Sequence, residues 1–398
     1  MAGLRDPFRR MILVLSAVAA LAILSSTMAK NPALPLLAKS IGADDAMVGL
    51  IAAISPIPGI LISSFAGAYS DRKGRARILT LSLLVFATAP FLYLFVTEPW
   101  QLIAVRFFHG FATAIFMPVA MAAVADRYSP ERRGEKLGIF SSATMVGRSI
   151  APFMGGALLY VANFDSVYLA CALTGIIALV LSFAIPWERH GKDLQVESKE
   201  RTLVSLAKVV RDRRIMLTSS IEGVQYFAMG AFETFLPLYA LSLGFNGLEI
   251  GVIMGVQIVS MLLSKPLMGR FSDRRGRVPS IIAGLLIGSV SIIAIPYVGS
   301  SILLGFLSII FGIGVATVTA STSALVSELA GPMAHGSSIG VLSSIMDVGH
   351  SIGPFATGII IGLASFQIGF GVAGAILLIG AVAFSFGMLG KSRSVAAE

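Results

Sequence analysis

Charge is scarce in this chain of 398 residues: Asp, Glu, Lys and Arg together make up 13%, against roughly a quarter in a soluble domain. That deficit leaves too few ionisable side chains to cover a water-soluble fold of this size. Cysteine and histidine are scarcer still, at one and four residues. The single Cys171 rules out a disulfide framework, and with no metal-type spacing among so few ligands no metal site is expected. A nucleotide-binding Gly-Lys-Ser/Thr loop is also missing, which argues against an ATP-driven pump and leaves no cofactor to expect. Runs such as "LTLSLLVFATAPFLYLFV" lack the two-residue alternation of a membrane barrel strand.

What remains is apolar. Hydrophobic residues make up 56% of the chain, and stretches of about 20 recur along its whole length. The expected class is an all-α polytopic membrane protein with twelve spans, at 11–30, 44–69, 77–97, 100–125, 136–161, 165–187, 215–241, 247–270, 278–298, 301–327, 337–362 and 366–390. "RDPFRR" before the first apolar run resembles a secretory leader, but its removal would leave eleven spans and break the repeat described next. It is therefore taken as the first span.

Lys and Arg fall on one side of these spans. Arg5, Arg9 and Arg10, the cluster at 72–77, Arg127 to Lys136, Arg189 to Arg214, Arg270 to Arg277, and Lys391 with Arg393 share it. The links "TEPW", "NFDS", "GFNGLE", "VGSS" and "ASFQ" carry neither residue. By the positive-inside rule both termini are expected in the cytoplasm, in the inner or plasma membrane. The same spread explains the net charge of +9 without nucleic acid as a partner.

An offset of 202 residues aligns the chain with itself without a gap. Pro35 meets Pro237, and Gly42 meets Gly244; Gly67, Asp71, Gly74 and Arg75 meet Gly269, Asp273, Gly276 and Arg277; Gly138, Gly147 and Pro152 meet Gly340, Gly349 and Pro354. Six spans per copy is an even number, so the copies are parallel repeats about an axis along the membrane normal. Residues 1–187 form the first six-helix bundle and 215–398 the second. Between them 188–214 is a charged cytoplasmic linker, in which Leu203, Leu206, Val209 and Val210 among basic residues suit an amphipathic surface helix.

On these residues the chain resembles the major facilitator superfamily of secondary transporters over nearly its whole length. "GAYSDRKGRAR" at 67–77 is similar to the family signature between the second and third spans, and "GRFSDRRGRV" at 269 is its degenerate copy. "LIAVRFFHGFATA" resembles the fourth-span motif with an intramembrane arginine, here Arg106. "GIFSSATMVGRSIAPFMGG" resembles the fifth-span signature of exporters that exchange solute against protons; Gly138, Gly147, Pro152, Gly155 and Gly156 match, and Ala151 stands where glycine is usual. The resemblance implies two halves rocking in alternating access, working as a monomer with a small-molecule substrate, protons and the lipid bilayer as partners. It implies no enzymatic activity. An uptake symporter or facilitator for a metabolite, sugar, organic anion or lipid uses the same scaffold, and a sensor without transport is a third class.

Physical reasoning assigns candidate roles. Gly67, Asp71, Arg72, Gly74, Arg75, Gly269, Asp273, Gly276 and Arg277 suit a cytoplasmic latch, the glycines seating helix ends and the aspartates pairing with arginine. The alternative is that these charges only stop helices and fix topology. Gly138, Gly147, Pro152, Gly155 and Gly156, with Gly340, Gly349, Gly353 and Pro354, suit tightly packed pivots in the fifth and eleventh spans. Ionisable groups inside spans are costly and face a bundle interior. Arg106, Glu222, Glu233 and Asp347 are the proton-coupling candidates. Asn31, Met117, Arg148, Tyr226, Met229, Gln257 and His350 are the cavity candidates. Glu222, Tyr226, Met229 and Glu233, at steps of four, three and four, share one helix face. Asp347 and His350 lie three apart on one helix face and so could form a pair, with Arg148 in the matching place of the first half; the alternative is that the three form a fixed polar network closing the two halves.

Overall fold

The computed structural model describes residues 7–187, 206–331 and 334–389. These are almost wholly helical, with no strand among them. In chain order they form α1 (Pro7–Lys30), α2 (Ala33–Ser40), α3 (Asp45–Ile54), α4 (Ile57–Lys73), α5 (Arg75–Leu92), α6 (Pro99–Arg127), α7 (Pro130–Val161) and α8 (Phe164–Ser182). The second half contributes α9 (Arg213–Ser242), α10 (Gly247–Arg275), α11 (Arg277–Ala294), α12 (Ser301–Ala330), α13 (His335–Leu363) and α14 (Phe366–Leu389).

Local chemistry explains the boundaries. The Asp44 carboxylate accepts from the Met47 N–H at 2.7 Å to open α3, the Asn163 amide oxygen accepts from Ser166 N–H at 3.0 Å at α8, and Asp212 accepts from Arg214 and Ile215 at α9. Each satisfies a donor that the first helical turn leaves free. Proline, whose missing N–H costs nothing there, starts α4, α6 and α7.

Ten stretches are long and apolar enough to cross a membrane. The two expected spans outside that set, on α7 and α9, are 32 and 30 residues long and are interrupted by polar and charged residues, Arg148 in the one and Glu222 and Glu233 in the other. The first span was expected to stop at 30. It continues through Asn31 and Pro32 into α2, giving one apolar stretch from Arg10 to Ser40. The second span, expected as one helix over 44–69, is two: α3 ends at Ile54 and α4 begins at Ile57. Pro56 and Pro58 remove two backbone donors within a single turn, so the helix cannot run through unbroken. Lys39, in the link left out of the charge tally, is ion-paired to Asp45 at 2.7 Å.

The repeat governs backbone detail. α5 and α11 begin and end 202 residues apart, and each runs into a 3-10 turn, Tyr93–Phe95 and Ile295–Tyr297. Gly74 and Gly276, which precede them, have φ of 95° and 93°, a conformation that only glycine adopts without strain.

Two compact units emerge, Met1–Gly191 with Gly244–Gly255, and Lys192–Leu243 with Val256–Glu398. The start of α10, expected with the second bundle, groups with the first because its glycines pack on α7: a Cβ on Gly251 would lie 2.5 Å from the Pro152 carbonyl oxygen. In the first unit Leu15, Val18 and Ala22 of α1 pack with Leu83 and Phe86 of α5, Phe116 and Val119 of α6, Phe140 of α7 and Ala178 of α8, all fully buried. In the second, Phe232 of α9 stacks on Phe311 of α12 at 4.7 Å, and Ser289 Oγ of α11 donates to the Gly374 carbonyl of α14 at 2.8 Å. Leu203 of the expected linker helix lies outside the described residues. At 206–211 the chain is helical; Leu206 and Val210 are exposed, while Val209 is buried against Ile215, Val326 and Leu342.

Candidate functional site

The charged hairpins are clamped within their own units. Arg75 pairs with Asp71 and, through Nε, with Asp126 Oδ2 at 3.0 Å; its Nη1 donates to the Gly67 carbonyl at 2.9 Å and to Ser70 Oγ at 2.6 Å. Arg277 repeats the arrangement with Asp273, Ser272 and Glu328, whose Oε1 lies 2.7 Å from Nη2. The aspartates thus hold the arginine four residues on, and the second carboxylate ties the hairpin to the end of α6 or α12. Arg72 is exposed and unpaired among the described residues. Asp126 and Glu328 were missed from sequence although they too lie 202 apart, the signal that would have found them.

Expected close packing at Gly67, Gly269, Gly138 and Gly340 is not what the structure shows: nothing described lies within 4 Å of a Cβ built at any of them. These sit toward helix ends, where the neighbours have diverged. The remaining glycines do pack tightly. A Cβ at Gly147 would fall on the Ala20 carbonyl of α1, with its carbon at 3.0 Å. At Gly349 and Gly353 it would meet the carbonyl carbons of Gly223 and Phe227 of α9, both at 2.8 Å, while Gly155 faces Met28 and the Asn31 carbonyl, and Gly156 faces Gly247 and Gly251. α1 with α7, and α9 with α13, are therefore seated backbone to backbone. Pro152 and Pro354 lie inside α7 and α13.

Arg106 is buried in the first unit at 2% exposure. Its Nη1 donates to Tyr93 Oη at 3.4 Å, and that hydroxyl lies 3.3 Å from His109 Nδ1. Tyr93 stacks on Tyr168 at 4.3 Å. Among the described residues Arg106 Nε, His109 Nε2 and Tyr168 Oη have no hydrogen-bond partner. A fixed positive charge, with no carboxylate paired to it among the described residues, is thus set beside aromatic rings. Met117 is half-buried, packed against this unit's apolar core. Asn31 is buried at the end of α1.

In the second unit the expected α9 stripe meets three helices, α10, α12 and α13. Glu222, 3% exposed, accepts from Thr322 Oγ1 of α12 at 2.5 Å, and Lys265 of α10 is within electrostatic reach. Met229 Sδ accepts from Gln257 Nε2 of α10 at 3.7 Å. Glu233 Oε2 lies 3.2 Å from His350 Nε2 of α13, whose ring is edge-on to Tyr226 at 5.8 Å. His350, which the sequence allows as a partner for Asp347, faces Glu233. Asp347 is half-buried and Arg148 is exposed, each without a hydrogen bond or ion pair among the described residues. Lys265, inside the run "MLLSKPLMG", was overlooked, though an ammonium in an apolar span is the same signal that marked the others.

Two like-built helical units, each with charge sealed inside an apolar bundle, define a multi-pass integral membrane protein of the transporter class. The chain belongs to the Major Facilitator Superfamily, whose family model matches residues 15–256 and 223–396. It is 26% identical over 377 residues to the multidrug resistance protein MdtG of Citrobacter koseri, covering 92% of each chain. It is 25% identical over 364 residues to multidrug resistance protein 2 of Bacillus subtilis, covering 88% of each. Among solved structures, a bacterial homologue of the human lysosomal transporter Spinster superposes with a TM-score of 0.83 at 16% identity, over 96% of this chain and 97% of that one. The nucleoside transporter NupG superposes at 0.78 with 15% identity, over 95% and 98%. The protein is a membrane transporter and not an enzyme.

Proposed function

We propose that the protein is a proton-coupled exporter of small organic or amphiphilic compounds, with both termini in the cytoplasm of a cell membrane. The observation that carries this reading is the Glu233–His350 contact of 3.2 Å between α9 and α13, two helices packed backbone to backbone at Gly349 and Gly353. A proton delivered there converts a carboxylate–imidazole contact into one holding an extra positive charge, which changes what the pair attracts. Glycine-seated helices transmit such a change because no side chain cushions the contact. Beside the pair, Tyr226, Met229 and Gln257 offer an aromatic ring, a polarisable thioether and an amide, a surface suited to chemically varied solutes. The multidrug names of the relatives agree with a broad substrate range. Glu222 and Asp347 are further proton carriers in this reading, and Arg106 supplies a fixed charge in the first unit.

The test uses purified protein in sealed vesicles with an imposed proton gradient. An exporter of this kind moves a lipophilic cation or dye against the gradient and acidifies the opposite compartment; a facilitator is indifferent to the gradient. Replacing Glu233 by Gln is expected to abolish gradient-driven accumulation while leaving passive solute exchange. Accumulation that survives the substitution would remove Glu233 from the coupling step.

A further inference from the structure

A groove of about 410 Å³ opens on the first unit between the start of α5 and the end of α8, lined by Ala76, Arg77, Thr80, Leu81, Ser182, Phe183 and Trp187. Its chemistry is graded. Leu81 and Phe183 are 50% and 72% exposed, an apolar wall that water would not favour. At the same end of the two helices lie Arg77, exposed, and Trp187, half-buried with its ring against the apolar core. Neither makes a hydrogen bond or ion pair among the described residues; the acid nearest Arg77 in sequence, Asp71, is taken by Arg75. The Thr80 and Ser182 hydroxyls donate to the Ala76 and Leu179 carbonyls at 2.9 and 2.6 Å. The groove therefore offers two spare donors, a guanidinium and an indole N–H, above an exposed hydrocarbon surface.

The scaffold does not require this set. At the 202-residue offset Arg77, Thr80, Ser182 and Trp187 become Pro279, Ile282, Phe384 and Leu389, so the polar end is peculiar to the first half. We propose that the groove is a binding site for one anionic phospholipid of the cytoplasmic leaflet. Arg77 and Trp187 hold its phosphate, and Leu81 and Phe183 receive the upper acyl chain. An arginine at this depth meets headgroup phosphates, tryptophan favours the membrane boundary, and anionic lipids gather on the cytoplasmic side. The leaflet follows from the orientation proposed above; the binding itself does not depend on transport.

Native mass spectrometry of the full-length protein in micelles containing equal phosphatidylglycerol and phosphatidylcholine reads the site without solute or proton gradient. The expected result is one retained phosphatidylglycerol in preference to phosphatidylcholine. The preference should fall about five- to tenfold in Arg77→Gln and persist in Arg77→Lys and in the nearby control Lys73→Gln. Phe183→Asp, which sets a carboxylate in the groove from an exposed position, should remove it even if Arg77→Gln is poorly recovered. Equal retention of both lipids, an unchanged preference in Arg77→Gln or Phe183→Asp, or displacement by millimolar inorganic phosphate would overturn the proposal. Loss of proton coupling in the vesicle assay, with lipid preference intact, would count against the transport reading alone.

Discussion

Gly349 and Gly340 lie on the same helix, nine residues apart, and alanine at the two is expected to act in opposite directions. At Gly349 the added methyl meets the Gly223 carbonyl group of α9, with its carbon at 2.8 Å and Cα at 2.9 Å. Contacts of this kind become ordinary at 3.4 Å, so α9 and α13 must part by at least about 0.6 Å. The obstacle is backbone, which cannot rotate away as a side chain would. Overpacking of this sort costs about 1–3 kcal/mol, a fall of roughly 2–12 °C in midpoint for a unit near 200 residues. At Gly340 the methyl enters open space, and alanine in a helix interior is favoured over glycine by about 0.5–1 kcal/mol, a rise of about 1–4 °C. Thermal unfolding of detergent-purified protein, followed as loss of the monodisperse species, measures both. The pair Gly147→Ala and Gly138→Ala in the first unit should repeat the contrast, since Gly147 faces the Ala20 backbone and Gly138 faces nothing within 4 Å. Shifts of the same sign at all four positions would refute the idea that backbone contact divides these glycines into two kinds.

Asp126→Asn removes one of the two carboxylates on Arg75 and is expected to cost about 0.5–1 kcal/mol, since both side chains remain partly open to solvent. Glu328→Gln should cost less, because Glu328 is 54% exposed; the same unfolding assay ranks them, and a larger loss at Glu328 would contradict the difference in exposure. Thr322→Val strips Glu222 of its one hydrogen-bond donor among the described residues, the hydroxyl at 2.5 Å, and should destabilise by about 1–3 kcal/mol; adding Glu222→Leu should recover most of that loss, and failure to recover would mean the hydroxyl matters for another reason. Gly74→Ala forces a side chain into a φ of 95° at a cost on the order of 1–3 kcal/mol, whereas Gly67→Ala should be neutral or stabilising. Equal unfolding midpoints for these two variants would argue against backbone strain at the hairpin.

The helical plan was legible because apolar length, one-sided arginine and an ungapped repeat are properties of the chain alone. The break at Pro56 was legible in principle and overlooked: two prolines spaced by one residue remove two donors from the same turn, and the apolar run around them hides it. Side-chain pairing was less accessible. Asp347 and His350 are three residues apart on one helix, which permits a pair, but His350 faces Glu233 across the α9–α13 contact. Only the rotation and closeness of those helices decides between them.

Coincident break points 202 residues apart mean that the chain carries its frame in duplicate, and duplication releases the interior from symmetry. Arg106, Tyr93, His109 and Tyr168 correspond to Ser308, Ile295, Phe311 and Phe370, while Glu222 and Thr322 correspond to Ala20 and Ala120. One copy holds a buried cation and the other buried acids on the same set of turns. A change of lining in one copy therefore leaves the frame of the other untouched.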